Sequence, residues 1–347
     1  MSTGISIYLG TSKEKNEMIL KKAKAAQMSY VFTSLHISEE QIADYRCCVK
    51  QLLTSCQMYN LTLIADISPK TLDYLQCQAY EDLADLGLQY LRLDDGFSNE
   101  EVMKLSQIFH LVFNASTITD EAIKVWKNSG VDFSRFLACH NFYPKPLTGL
   151  SLKKVKAINE KLKALGFRTA AFVAGDQEYR GPIHQGLPTV EEHRSQNVFL
   201  SLLELFNEAK SDLVLIGDID VSPATWQRID EYNKGFITLR TTVKPDYEFL
   251  KNKVHHDRLD SSDYVIRSQE SRADLQGYHP IIKEDTKARK KGAICVSNEL
   301  YLRYQGEIEI ARLALKADER VNVIGYVQEI DQVYLPHIKN GFGFVLK

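Results

Sequence analysis

Short apolar runs alternate along the first two thirds of the chain with longer stretches in which apolar residues recur every three or four positions. The short runs are rich in β-branched and aromatic residues, as strands are, and the longer stretches have the spacing of amphipathic helices. Ser98, for example, precedes such a stretch and is a residue type that caps helices. The pattern predicts eight strands, at 5–9, 30–34, 61–66, 90–94, 111–114, 136–140, 168–174 and 213–217.

Regular alternation of strand and helix predicts a parallel sheet, because a parallel pair of strands needs a crossover helix. Eight such units close most naturally on themselves. We therefore predict an α/β fold with a (β/α)8 TIM barrel over residues 1–234.

The character of the chain changes after Trp226. Segments 236–243, 263–268, 292–297 and 321–327 are short and β-branched, and no long helical stretches separate them. This pattern is typical of antiparallel strands. We predict a small β-rich second domain at 235–347 that ends in a closing strand.

Most of the eight predicted barrel strands end in polar residues. The carboxyl ends of the strands in such a barrel share one face, where catalytic groups gather. A single Asp or Asn there could simply cap the next helix, but polar residues at seven of the eight ends favour a functional rim. These residues are Thr33, Ser34, His36, Asp66, Asp94, Asp95, Asn114, His140, Asn141, Asp176 and Asp218.

Two loops at this rim have unusual composition. The loop 140–151 carries Pro144 and Pro146, which restrict its backbone, and Tyr143, whose ring could stack on a sugar. The loop 174–194 is long for a strand–helix connection, and it contains the polar residues Asp176, Glu178, Arg180, His184 and Glu191. We expect both loops to line the site.

Composition and motifs exclude several classes of protein. A net charge of −2 gives no sign of the positively charged surface that binds nucleic acid. No apolar stretch is long enough to cross a membrane. The six cysteines show no CxxC spacing, and the chain contains no HExxH, GxSxG, P-loop or GxGxxG motif. We expect no metal and no cofactor. The amino terminus lacks the features of a signal peptide, so we expect a cytoplasmic protein.

A ring of carboxylates in a barrel mouth suits glycoside hydrolysis. One carboxyl group protonates the leaving oxygen, and another acts as base or nucleophile. Neighbouring strand residues point to opposite sides, so only one of Asp94 and Asp95 can face straight into the barrel. The predicted catalytic residues are Asp94, Asp218, Glu178 and Asp176.

Several long, irregular motifs resemble those of the bacterial 6-phospho-N-acetylmuramidase family. They are ISIYLG, TSLHIS, HNFYPKPLTGLS, GPIHQGLPTVEEHR, GDIDVS, IRSQESR and NELYLRYQGEIEI, and they span the chain. The resemblance implies a barrel followed by a cyclophilin-like β-domain. It implies hydrolysis of the β-1,4 bond of 6-phospho-N-acetylmuramyl-N-acetylglucosamine to N-acetylmuramic acid 6-phosphate and N-acetylglucosamine in peptidoglycan recycling. Asp95, and Lys145 where we expect arginine in the family, depart from the pattern.

A phosphorylated amino-sugar disaccharide needs one set of residues to bind its sugars and another to bind its phosphate. We predict a sugar site made by His36, Asp66, Asn114, His140, Asn141, Tyr143, Arg180 and His184. A 6-phosphate carries nearly two negative charges, for which the arginine fork is well suited. We expect the second domain to hold it through Arg267, Ser268, Ser271 and Arg272, with Lys145 and Arg180 of the barrel as the competing clamp.

Two alternatives stay open at this point. One is a carbohydrate-binding or sensing barrel without turnover, against which the retained acidic residues argue. The other is a barrel lyase, aldolase or epimerase acting on phosphosugars, which would need a lysine or a metal at a strand end. The sequence also leaves open the acid and base assignment, a retaining, inverting or substrate-assisted mechanism, and the oligomeric state, for which a homodimer is one option.

Overall fold

A computed structural model describes residues 1–35, 45–94, 96–275 and 280–347, without the side chains of Arg272 and Asp274. The chain divides into two compact units, Met1–Asn233 and Lys234–Lys347. Each unit is described by itself below. The predicted site residue His36, and Asp95 beside Asp94, lie outside the described residues.

The first unit is a closed barrel of eight parallel strands in sequential order, which confirms the predicted fold. Each strand pairs with its neighbours in the chain, and β8 closes the barrel against β1, with Ser2 opposite Leu213. The strands are β1 (Ser2–Ser6), β2 (Tyr30–Ser34), β3 (Thr62–Ile67), β4 (Tyr90–Leu93), β5 (His110–Asn114), β6 (Phe136–Cys139), β7 (Arg168–Val173) and β8 (Leu213–Ile216).

Helices connect these strands. Several begin at side-chain caps that satisfy the first backbone N–H groups, among them the capping box of Ser98 and Glu101. The helices are α1 (Lys13–Ala25), α2 (Tyr45–Tyr59), α3 (Thr71–Leu75), α4 (Asp82–Asp85), α5 (Asn99–Ser106), α6 (Asp120–Asn128), α7 (Leu152–Lys163), α8 (Val198–Asn207) and α9 (Pro223–Asn233).

Apolar side chains fill the barrel interior. They come from alternate strand positions, as the two-residue period of a strand requires, and include Phe32, Ile64, Val112 and Phe172. Phe142, from the loop after β6, packs edge-on against Phe32 and Phe172 with ring centroids 6.4 and 5.1 Å away. Side chains therefore fill the barrel interior, and a ligand can bind only above this aromatic layer.

The first strand lies earlier in the chain than predicted, at Ser2–Ser6 instead of 5–9. A close approach between strands explains part of this register. A Cβ atom on Gly4 would lie 2.4 Å from the carbonyl oxygen of Tyr30 and 2.7 Å from Leu215 Cδ2, so only glycine fits there. The apolar run continues past the strand because Ile7 and Tyr8 are themselves buried.

The second unit contains two small sheets. One is five-stranded and antiparallel, in the order β10-β15-β13-β14-β12, and the other is three-stranded, in the order β11-β16-β9. The elements are β9 (Phe236–Leu239), β10 (Thr241–Val243), β11 (Val254–His256), β12 (Val265–Arg267), α10 (Ser271–Asp274), β13 (Ala293–Ser297), β14 (Ile308–Ala311), β15 (Val321–Val327) and β16 (Gly343–Leu346).

Two details of this unit differ from the prediction. The single run 236–243 forms two strands, because Arg240 leaves the ladder and donates its backbone N–H and its guanidinium to the buried Asp331. The strands β11 and β14 were not predicted. Both are three or four residues long and include charged or His residues, so they lack an apolar run.

One ion pair joins the two unusual loops of the barrel. The Glu191 carboxylate accepts hydrogen bonds from Arg194 Nε and Nη2 at 2.7 and 2.8 Å. It also accepts from the backbone N–H groups of Leu147 and Gly149, at 2.9 and 2.8 Å. Arg194 in turn donates to the carbonyl oxygen of Tyr143 at 2.9 Å. The loop after β6 is thereby fixed to the segment after β7.

We predict that Glu191→Gln lowers the free energy of unfolding by about 1–3 kcal/mol, because one amide oxygen cannot serve all four donors. The Arg194 guanidinium lowers the pKa of the Glu191 carboxyl from 4.5 to about 2. The contribution of the charge is complete above about pH 4.5 and is lost as the pH falls towards 2. Thermal unfolding from pH 7 to pH 3 checks this.

The matched control is Glu192→Gln, because Glu192 is the exposed neighbour of Glu191. It should leave the unfolding midpoint unchanged at every pH. A gap between wild type and Glu191→Gln that stays constant down to pH 3 would contradict the role of the charge.

Candidate functional site

The two-residue period of the strands determines which polar side chains face the barrel mouth. Residues such as Phe32, Ile64, Val112 and Cys139 point into the barrel. The positions two residues further along therefore point to the same side, above the apolar layer. These positions are Ser34, Asp66, Asn114 and Asn141, and on β4 Arg92 and Asp94 follow the interior residue Tyr90.

A buried ion pair forms the base of the mouth. Arg92 Nη1 lies 2.7 Å from Asp66 Oδ1, and each residue is only 6% exposed. Arg92 Nη2 donates to the side-chain oxygen of Asn141, which follows β6. Ser34 Oγ donates to the other oxygen of Asp66 at 3.4 Å. These contacts connect β2, β3, β4 and the start of the loop after β6.

Arg92 has a further donor in this network. Its buried Nε atom has no hydrogen-bond partner among the described residues. A buried donor without a partner costs free energy, so such groups commonly meet a water molecule or a ligand. The described residues therefore satisfy the guanidinium of Arg92 only in part.

Asp94 is the exposed carboxylate on the same side of the mouth. It follows β4, and its backbone N–H donates to the carbonyl oxygen of Ile67 at 3.1 Å. Because Asp94 is two residues beyond Arg92, the two side chains share one face of the chain. An accessible acid above a buried ion pair can meet a ligand that occupies the mouth.

Asp218 has a different environment. The residue is 0% exposed. It lies an odd number of positions after the interior residues Leu213 and Leu215, so it does not continue their two-residue series. Its carboxylate accepts backbone N–H groups from Gly175, Arg180 and Leu187, at 2.8, 2.9 and 3.0 Å.

Burial raises the pKa of the Asp218 carboxyl, and the three N–H donors oppose that shift. Asp218 therefore binds both ends of the loop 175–187. The structure does not bring it to the surface of the mouth.

The other two predicted catalytic acids also have partners. Asp176 accepts the backbone N–H of Ser222 at 2.6 Å and the Thr225 hydroxyl at 2.7 Å, so it caps the first turn of α9. Glu178 pairs with Lys15 at 2.5 Å, and 44% of its side chain is exposed. Both carboxylates reach solvent, because Asp176 is exposed although it caps α9, and Glu178 is half-buried near the β7–β8 side of the barrel.

Two of the predicted sugar-binding residues make hydrogen bonds within the protein. His140 is 0% exposed, and its Nε2 atom lies 2.9 Å from Asn159 Oδ1 on α7. It is one residue out of phase with the interior residue Cys139, so it faces the helices. Asn114 is half-buried at the mouth, and its side-chain oxygen accepts the N–H of Ser116 at 3.0 Å.

The long loops supply the remaining predicted barrel residues. Tyr143 is half-buried, and its backbone N–H donates to Pro188 O at 2.9 Å. His184 is exposed, with Nδ1 3.1 Å from the carbonyl oxygen of Tyr179. The guanidinium of Arg180 lies over the ring of Tyr8, 4.3 Å from its centroid.

The predicted phosphate clamp in the second unit takes part in local contacts. Arg267 Nη2 donates to the backbone oxygen of Asp260 at 2.6 Å and lies 3.1 Å from its carboxylate. Ser268 is buried with its hydroxyl 3.1 Å from His255 Nδ1. Ser271 is also buried, and its hydroxyl accepts the N–H of Ile308 at 3.0 Å. The side chain of Arg272 lies outside the described residues.

Arg92 and Tyr8 are residues of the mouth that sequence reasoning missed. Arg92 stands inside a strand between Leu91 and Leu93, so it did not count as a strand-end residue. Its position in the strand could have indicated this role, because Arg92 lies two residues after the interior residue Tyr90 and two residues before Asp94, on the same side of the strand. Tyr8 belongs to the apolar run 5–9, which predicts a position within the first strand and not at its end.

In residues 1–35, 45–94, 96–275 and 280–347, no three His, Cys, Asp or Glu side chains cluster as metal ligands would. Among the helices of that same part of the chain, none has the length and apolar character needed to cross a membrane.

Both units match models of one protein family. The model described as 6-phospho-N-acetylmuramidase, N-terminal, matches residues 3–231, and the model described as its C-terminal part matches residues 237–347. No curated protein is significantly similar to this chain.

Two solved structures are similar over the whole chain. A conserved protein of unknown function from a locus in Enterococcus faecalis is 34% identical, with a TM-score of 0.79, and the match covers 100% of this chain and 96% of that one. An uncharacterized B. cereus protein is 25% identical, with a TM-score of 0.76, covering 100% and 99%. The family models and these matches show that the chain belongs to the 6-phospho-N-acetylmuramidase family.

Proposed function

We propose that this protein hydrolyses the β-1,4 bond of 6-phospho-N-acetylmuramyl-N-acetylglucosamine. The products would be N-acetylmuramic acid 6-phosphate and N-acetylglucosamine, and the reaction would serve cell-wall recycling in the cytoplasm. Family membership supports the substrate class. The main structural support is the exposed acid Asp94, which lies beside the buried Asp66–Arg92 ion pair in the barrel mouth.

The reaction needs a proton for the leaving oxygen and a water molecule for the sugar carbon. The bond between C1 of the muramyl sugar and O4 of N-acetylglucosamine breaks, O4 takes a proton, and water supplies the hydroxyl at C1. Asp94 is the residue that we assign to proton transfer, because it is accessible on the mouth-facing side of β4. Glu178, whose side chain is 44% exposed, is the second candidate among the predicted catalytic acids.

Asp66, Arg92 and Asn141 have a positioning role in this proposal. Their contacts fix three elements of the mouth relative to one another, with Arg92 donating to both partners. A fixed network loses little conformational freedom when a sugar binds.

Asp218 and Asp176 support the site indirectly. Asp218 holds the ends of the loop 175–187 through three backbone N–H groups, and Asp176 caps α9. The second unit would be the cyclophilin-like domain that the family resemblance implies.

We predict that the purified protein cleaves the phosphorylated disaccharide and that Asp94→Asn lowers kcat by roughly 10²-fold or more, because an amide cannot transfer the proton. The unfolding midpoint should stay unchanged, since Asp94 is exposed. Product release measured by mass spectrometry checks both statements. Asp73→Asn, at an exposed acid on α3, is the matched control and should keep wild-type turnover.

Wild-type turnover by Asp94→Asn would remove Asp94 from the mechanism. No cleavage of the phosphorylated disaccharide by the folded wild-type protein would contradict the proposed function itself.

We predict a different profile for Asp218→Asn. An asparagine amide would place an NH2 group against backbone N–H donors, so the loop 175–187 should loosen. The expected result is a loss of about 2–4 kcal/mol in the free energy of unfolding and a higher KM. Denaturant unfolding and steady-state kinetics measure both. A variant of unchanged stability and KM with a strongly lowered kcat would indicate that Asp218 acts directly in catalysis.

A further inference from the structure

Arg180 lies over the region where the barrel closes. Its guanidinium carbon is 4.3 Å from the centroid of the Tyr8 ring, within the range of a cation–π contact. Tyr8 follows β1 and is only 3% exposed, and its hydroxyl donates to the carbonyl oxygen of Gly217, directly after β8. The stacked pair thus connects the loop after β7 with the ends of β8 and β1.

The backbone around Arg180 is fixed as well. Its N–H donates to Asp218 Oδ1 at 2.9 Å. Two residues earlier, the carbonyl oxygen of Glu178 accepts the N–H of Ile219 at 3.1 Å, in a short antiparallel bridge. Because both the backbone and the ring under the guanidinium are held, little freedom remains to be lost when Arg180 binds a ligand.

Four acidic residues near Arg180 have partners among the described residues. Glu178 pairs with Lys15 at 2.5 Å, and Asp220 pairs with Lys22 at 2.7 Å. Asp176 receives hydrogen bonds from the first turn of α9, and Asp218 receives three from backbone N–H groups. The repulsion that an acidic rim would exert on a phosphate is therefore reduced near Arg180.

An arginine stacked on an aromatic face presents its N–H groups at the edge of the guanidinium plane. That edge has the geometry for two parallel, charge-assisted hydrogen bonds to phosphate oxygens. In (β/α)8 barrels, the loops after the seventh and eighth strands are a frequent location for phosphate. Arg180 belongs to the loop after β7, and its partner Tyr8 contacts the residue that follows β8.

We propose that Arg180, stacked on Tyr8, binds the 6-phosphate of the sugar substrate at the β7–β8–β1 side of the barrel mouth. This inference rests on the proposed function for the identity of the phosphosugar. It differs from the expectation of a clamp in the second unit through Arg267, Ser268, Ser271 and Arg272.

The test compares phosphorylated and unphosphorylated ligands. Calorimetry would measure the affinity of the wild-type protein, Arg180→Ala and Arg180→Lys for N-acetylmuramic acid 6-phosphate and for N-acetylmuramic acid. Arg180→Ala should weaken binding of the phosphosugar by roughly 10- to 100-fold, and it should change binding of the plain sugar little. Arg180→Lys should restore part of the difference, because it keeps the charge and loses the planar fork.

Lys70→Ala is the matched control, because Lys70 is an exposed cation in the loop after β3. It should bind both sugars as the wild type does. The inference is overturned if Arg180→Ala weakens both sugars equally. It is also overturned if Arg267→Ala, and not Arg180→Ala, removes the preference for the phosphosugar.

The binding assay is independent of turnover. Cleavage of the disaccharide with a phosphate preference unchanged in Arg180→Ala would reject the inference and keep the proposed function. Arg180-dependent phosphosugar binding without any cleavage would keep the inference and reject the proposed function.

Discussion

The strict alternation of side chains along each barrel strand is the constraint on which the site depends. In a closed barrel one set of positions faces the interior and the other faces the surrounding helices. Asp66 and Arg92 continue the interior set above the apolar layer, and there they form a buried ion pair. His140 and Asp218 do not continue this set, and both are fully buried: His140 contacts Asn159 on α7, and Asp218 accepts backbone N–H groups of the loop 175–187.

A buried ion pair in this position has consequences for packing and for recognition. Removing two charges from water is costly, and the cost is offset only when the geometry and the additional hydrogen bonds are good. Here Ser34 and Asn141 supply such bonds to the outer atoms of the pair. Replacing one partner would leave the other charge buried and uncompensated.

Most of the barrel could be predicted from the sequence. Eight β-rich runs separated by amphipathic stretches allow one closed parallel sheet, and the structure shows that sheet. The start of β1 could not be predicted, because it depends on the fit of Gly4 against Tyr30 and Leu215 on neighbouring strands. Similarly, the break between β9 and β10 depends on Asp331, a residue 91 positions from Arg240.

The site could be predicted only in outline. Polar strand ends indicate the functional face, but they do not show that Asp176 caps a helix whereas Asp94 shares a strand face with Arg92. That distinction depends on partners from distant segments. The contact of Arg92 with Asn141, 49 residues later, likewise has no local signal in the sequence.

The proposed function requires the barrel mouth above Asp66 and Arg92 to hold the sugar next to Asp94. A crystal structure of Asp94→Asn with the intact phosphorylated disaccharide would show where the substrate lies. We expect the glycosidic oxygen within roughly 3 Å of the side chain at position 94, with the sugar above the ion pair. A disaccharide bound away from the mouth would rule out this arrangement.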